Sequence, residues 1–148
     1  SSSSSSKYKV LASEEVGFNA SRVRALLKKG DESAAKGDLV EARRHYDNAR
    51  AVSSKLLGFY RSLSGAFRGL DARIPREMDA KGRKVLELKA EVNLRLAALF
   101  RRLNEPEVAV PLLVEVVQSM TPAKPQGQKA FQGLVELGFV DTSYAGGS

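Results

Sequence analysis

Cysteine is absent from the 148 residues, and histidine occurs once, at His45. The first absence removes disulfides, thiolate nucleophiles and cysteine-ligated metals, and it fits a reducing compartment. The second removes histidine metal clusters and any Ser/His/acid arrangement, because one histidine beside Tyr46 flanks an apolar stripe and meets only scattered acids. No apolar run approaches the ~20 residues that a membrane-spanning helix needs. Runs of β-branched residues are also scarce, while Ala, Leu, Arg, Lys and Glu dominate, so the expected class is all-α. Gly58, Gly65 and Gly69 fall in helical register with no strand ahead of them, which makes a poor phosphate loop. Asp71, Glu77 and Asp79 gather where carboxylates serve a turn and a helix start. The chain therefore reads as a non-enzyme that needs no cofactor and no metal.

What is present is a globular composition, 43% hydrophobic and 28% charged, long enough for one domain with a real core. The net charge of +7 is unevenly placed. Residues 51–104 carry twelve Lys/Arg against five Asp/Glu, residues 21–50 eight against five, and residues 105–148 two against five. A basic middle of this kind suits an acidic protein, RNA or an anionic surface.

The stretch Asp38–Leu70 organises the rest. Leu39, Ala42, Tyr46, Ala49, Leu56, Tyr60, Leu63, Phe67 and Leu70 recur at three–four spacing, with Ser53 the one polar residue in the series. That pattern predicts one long helix with a single face held against other helices. Gly58, Ser62, Gly65 and Gly69 lie on an adjacent face. Glycine in a helix interior costs about 1 kcal/mol, so these glycines imply either close approach of another helix or a break near Gly58.

Ahead of it, residues 1–17 read as a disordered Ser-rich head, with six serines first and no acid before Glu14. Such a head resembles the end of a plastid or mitochondrial transit peptide, and the plastid case would place a soluble chain in the stroma. A first helix is expected from Asn19 or Ser21 to Gly37, joined to the second by almost nothing, hence an antiparallel hairpin. After a turn at Asp71–Ile74, Met78, Val85, Leu88, Val92, Leu96, Leu99 and Leu103 mark a second long helix beginning near Pro75. Asn104–Glu107 reads as the next start signal, for a helix carrying Val108, Ala109, Leu112, Leu113, Val116 and Val117. A last helix near Gly127–Leu137 offers Phe131, Leu134, Val135 and then Phe139 as a lid. One helical domain over residues 18–140, followed by a flexible tail at 141–148, is the expected organisation.

A shift of 67 residues lays Gly30, Ala42, Tyr46 and Ala49 on Ala97, Ala109, Leu113 and Val116. In both copies a helix ends in a polar turn, and the next has a small residue four positions in, so the chain resembles the tetratricopeptide repeat, a helical hairpin of about 34 residues. Gly30, Gly37-Asp38, Ala42, Tyr46 and Ala49 follow that motif's small, turn, small, large and small positions, and Ala97, Phe100, Ala109, Leu113, Val116 and Pro122 do so again. Leu26 stands where an aromatic is usual and Lys29 where a leucine is. The resemblance implies antiparallel hairpins stacked as a bundle of about five helices, two of them long, and a function in binding proteins. The family's carboxylate clamp is missing, since Leu27, Asp31, Leu94 and Ala98 occupy its positions and only Arg95 there is cationic.

The candidate binding residues are basic. Arg43, Arg50, Arg61 and Arg68 share one side of the long helix, and Arg73, Arg76, Lys81, Arg83 and Lys84 follow the turn. With Arg95 they form the candidate partner site. Phe59 is the spare aromatic. The leading expectation is a non-catalytic scaffold or assembly factor for another protein; the alternatives are an RNA-binding module using Arg61–Lys84, and a homodimer along the long helix.

Overall fold

A computed structural model describes residues 9–144, and every regular element among them is helical. A 3-10 turn at Val10–Ala12 precedes five α-helices: α1 Ala20–Ala35, α2 Leu39–Phe67, α3 Arg73–Arg102, α4 Pro106–Met120 and α5 Pro125–Glu136. The fold class is all-α. Helices α2 and α3 have 29 and 30 residues, each a rod of roughly 45 Å.

Local chemistry sets the ends. Asn19 Oδ1 accepts the Arg22 N–H at 3.1 Å and starts α1, and Asp38 Oδ1 accepts the Glu41 N–H at 3.1 Å and starts α2. Gly37, at φ +83°, closes α1: its own N–H donates to Ala34 O at 3.0 Å and the Asp38 N–H to Ser33 O at 2.9 Å. Asn104 does the same for α3 at φ +61°, with the Glu105 N–H donating to Phe100 O at 2.8 Å. Asn104 thus ends one helix, whereas the sequence reads it as part of the next start; Pro106 in the first turn of α4 supplies that start. Asp71 accepts the Arg73 N–H at 3.0 Å, and α3 begins there, two residues ahead of Pro75.

The segment expected as a disordered head, residues 1–17, is described only in its second half. Residues 1–8 lie outside the described residues, but residues 9–17 form a tight turn onto α1. Phe18 N–H donates to Leu11 O at 2.6 Å, and the Asn19 amide donates to Leu11 O at 2.5 Å and Ser13 O at 3.3 Å. Gly17 is buried there, and a side chain at that position would run into the carbonyls of Ser13 and Leu11. Of the tail expected at 141–148, residues 145–148 also lie outside the described residues.

The chain divides into two compact units, one up to Leu88 and one from Lys89, so the division falls inside α3. In the first unit α1 and α2 form an antiparallel hairpin around Val23, Leu26, Ala42, Tyr46, Ala49 and Leu56, all at most 2% exposed. Burying side chains of this size is the main stabilising term, about 1.5–3 kcal/mol for each of the larger ones. Farther along, the stripe departs from the expected face. Ser53 and Ser64 are fully buried, while Leu63 and Leu70 are 42% and 78% exposed. Ser53 Oγ satisfies itself on Ala49 O at 2.7 Å, and Ser64 Oγ donates to Asp79 Oδ1 of α3 at 3.1 Å.

In the second unit the end of α3 packs with α4 and α5 around Leu96, Ala97, Ala109, Leu113, Val116, Ala130 and Leu134. Polar ties frame this core. Lys89 pairs with Glu115 at 2.7 Å, Arg101 with Glu136 at 3.0 Å, and the Gln126 amide donates to Glu91 Oε1 at 3.1 Å. Phe139 is not a lid but is 63% exposed, because Gly138 at φ +77° turns the chain away after α5.

Candidate partner-binding surface

Helix α2 runs unbroken through Gly58 and Gly65, and a side-chain carbon built on either glycine meets nothing within 4 Å. The helix is not broken at Gly58, and no part of the described chain approaches either glycine, so of the two expected reasons the break is excluded and a closely approaching helix is not supplied by this chain itself. Beside the glycines, Phe59, Leu63 and Ala66 stand exposed at spacings of four and three, and Leu70, in the turn after α2, is exposed as well. At about 100° per residue, the outer side of α2 carries three parallel rows. An apolar ridge (Phe59, Leu63, Ala66) borders a shallow row of small residues (Gly58, Ser62, Gly65), and Arg61 and Arg68 border that row on its other side. Ridge beside groove is the surface that one helix offers another. The ridge begins at a fixed point, since the Phe59 ring packs edge-on against Phe18 at 5.8 Å and 69°.

The arginines sit on a groove of about 320 Å³ with Arg83 of α3 and Tyr60. Among the described residues Asp79 is the one carboxylate in its lining, and it is engaged by Ser64. The Arg68 guanidinium in turn donates to Ser64 Oγ at 3.3 Å, so its position is set by a buried hydroxyl. Arg61, Arg68 and Arg83 together give this rim a strongly positive field.

The other sequence-level candidates are dispersed. Arg43 faces Asp47 at 3.6 Å on the surface of α2, Arg50 is half-buried, and Arg76 is exposed on the first turn of α3. Arg73 closes a two-pronged pair on Asp71, at 2.8 and 3.0 Å, as part of the turn. Its bonds hold the Asp71 carboxyl below the ordinary carboxylate range, and the Arg73 guanidinium is correspondingly raised. Arg95 lies in the second unit, paired with Glu91 at 2.7 Å. Lys81 and Lys84 line a different cavity, again with Tyr60. Burial pushes the Tyr60 hydroxyl pKa up and nearby Lys81 opposes this, so the phenol remains a neutral donor at physiological pH.

Sequence reasoning placed Tyr60 in the buried stripe and missed Ser64, Lys9 and Arg24 altogether. Tyr60 is the shared wall of the two cation-lined spaces. Phe59 is 63% exposed; Phe139 and Tyr144 are exposed too, but in the second unit. Among the described residues no group of three His, Cys, Asp or Glu can hold a metal ion, and no helix is long and apolar enough to cross a membrane. His45 stands 3.5 Å from Glu41, and its buried Nδ1 has no hydrogen-bond partner among the described residues.

Set against protein-family models, curated proteins and solved structures, the chain matches none. Its class stands on the structure: an all-α protein whose second helix bears an open ridge and groove rimmed by arginine.

Proposed function

We propose that this chain is a non-catalytic protein-binding module that seats an amphipathic helix of an acidic partner on the second half of α2. The observation that carries the reading is the coincidence of Phe59, Leu63 and Ala66 with Gly58 and Gly65 on one exposed face. In the isolated chain these glycines cost helix stability without any packing return, and a docked helix supplies the return. Charge selects the occupant. Lys55, Arg61 and Arg68 flank the face, so a second copy would bring like charges together, whereas a helix with Asp or Glu beside its apolar face is complementary. The divergent tetratricopeptide-like reading supports the same role. Gly30 lies under Tyr46 with Ala42 and Ala49 fully buried, and Ala97, Ala109, Leu113 and Val116 are buried at the equivalent positions. A scaffold or assembly role is the form of protein binding that we propose here.

The test is photo-crosslinking from Ser62, compared with Ala51, followed by mapping of the captured peptide. The expected product is a partner helix with acidic flanks, lost in Leu63→Asp, while light scattering returns a monomer. Capture unaffected by Leu63→Asp overturns the reading, and a dimer that Leu63→Asp dissociates replaces it with self-association.

Single-stranded RNA is the second reading, favoured by Tyr60 lying among Arg61, Arg83 and Lys84 on its two grooves. It requires affinity that falls steeply with salt and weakens in Arg83→Glu. No gel shift at low salt removes it.

A further inference from the structure

We infer that the cavity between the N-terminal turn, the start of α1, Tyr60 and α3 binds a nucleoside phosphate. This inference is independent of helix docking on the outer face of α2. The cavity measures about 580 Å³, within the range of small-ligand sites and far larger than one inorganic phosphate needs. Lys9, Arg24, Lys81 and Lys84 line it, and among the described residues no carboxylate does.

These four cations come from three separate segments, the N-terminal turn, α1 and α3, so their convergence is a product of the fold. Lys81 shares its charge with Glu77 at 2.9 Å, one turn earlier on α3. Among the described residues no ion pair neutralises Lys9, Arg24 or Lys84. Arg24 also borders an adjoining hollow lined by Glu14, Glu15 and Glu32, but the cations gathered around this concavity still repel each other, and a group carrying about two negative charges relieves that repulsion better than a single carboxylate does. The Arg24 guanidinium supplies a planar donor pair that matches phosphate oxygens.

The remaining walls define the rest of the ligand. Phe18, Leu11, Ala12 and Tyr60 make one side apolar and aromatic. Phe18 is braced by Phe59 at 5.8 Å, and the Asn19 amide ties down the carbonyl of Leu11 at 2.5 Å, so this side is held in place before any ligand arrives. A flat base suits an aromatic wall at low entropic cost, and the neutral Tyr60 hydroxyl and Ser21 add hydrogen-bonding capacity. A phosphate at one end and an aromatic ring at the other is the chemistry of a nucleotide, whether free or at the 5′ end of an RNA strand.

Isothermal titration of the full chain with ATP, AMP, pyrophosphate, and a short RNA with or without a 5′ phosphate tests this. ATP should bind at least about tenfold more tightly than pyrophosphate. Lys84→Glu and Arg24→Glu, both at exposed positions, should each weaken ATP about tenfold or more, and Tyr60→Leu should weaken ATP while sparing pyrophosphate. Binding of the 5′-phosphorylated RNA alone, lost in the same variants, keeps the site and assigns the strand end as its source. Four results overturn the inference: no heat with any probe, equal affinity for ATP and pyrophosphate, displacement of ATP by an equimolar poly-glutamate peptide, or an equal loss in Arg68→Glu, which lies on the other groove.

Discussion

The Tyr46 ring occupies the space where a side chain on Gly30 would begin, with Tyr46 Cδ1 within 2.5 Å of that position. Tyr46 is 2% exposed and its hydroxyl donates to Asp31 Oδ1 at 2.5 Å, so the ring cannot step aside. Alanine at position 30 gains about 1 kcal/mol of helix propensity but forces overpacking that costs about 1–3 kcal/mol. The steric term wins. Gly30→Ala is expected to lower the urea midpoint, and in a Tyr46→Leu background the same change should cost less or turn favourable. A double-mutant cycle measures that coupling, and additive effects would contradict the contact.

Gly58 and Gly65 invert the case, because an added methyl meets nothing. Gly58→Ala and Gly65→Ala should each raise stability by about 0.5–1 kcal/mol, seen as a higher thermal midpoint. If a partner helix lies in the small-residue row, the same substitutions weaken its docking. Stability up and binding down in one variant separates a docking groove from a tolerated surface.

How much of this was legible in the sequence depended on the distance over which each decision is made. The caps at Asn19, Asp38 and Gly37 are settled within four residues, and their side-chain chemistry announces them. The second half of α2 is settled elsewhere. After Tyr60 a three–four pattern can continue at Leu63 or at Ser64, and hydrophobicity favours the leucine. Ser64 can be buried because Asp79 on another helix accepts a hydrogen bond from its hydroxyl, a partner 15 residues away that no local pattern reveals. The leucine left outside is what makes the ridge. Lys9 and Arg24 were missed for a related reason: the turn that brings Lys9 to the cavity is held by main-chain carbonyls of Leu11 and Ser13, which composition does not encode.

Acid should unsettle the surface pairs in a defined window. Bonds from Arg73 hold Asp71 low, bonds from Arg44 hold Glu41 low, and bonds from Arg101 and Gln132 do so for Glu136. A folded-state value below the unfolded one means that the native state binds fewer protons. The contribution is therefore complete above the unfolded carboxylate range, about pH 4, and is lost as pH falls through the folded values. Glu136 is exposed and Asp71 and Glu41 are half-exposed, so water screens all three and the loss is shallow. The urea midpoint should stay level from pH 7 to about 5 and fall below about 4. An Asp71→Asn, Glu41→Gln, Glu136→Gln triple variant should flatten that fall, and an unchanged acid slope would show that other groups govern it.

Thr121 has φ +58° and ψ +152°, a conformation that a β-branched residue adopts only under constraint. The constraint is visible. Its N–H still donates to Val117 O at 3.0 Å, ending α4, while its carbonyl accepts the Lys124 N–H at 3.2 Å and lies directly against Gly127 in the first turn of α5. A side chain at Gly127 would collide with that carbonyl, and a backbone atom cannot rotate away as a flexible side chain can. Two substitutions follow with opposite signs. Gly127→Ala should destabilise by about 2 kcal/mol or more, because either the turn or α5 must shift. Thr121→Gly should stabilise by about 1 kcal/mol, because glycine adopts this backbone without strain and the retained N–H and C=O keep both hydrogen bonds. Chemical denaturation followed by circular dichroism resolves both. A stabilising Gly127→Ala would mean that the α4–α5 turn is free to open, and its carbonyl is then not what holds the two helices in register.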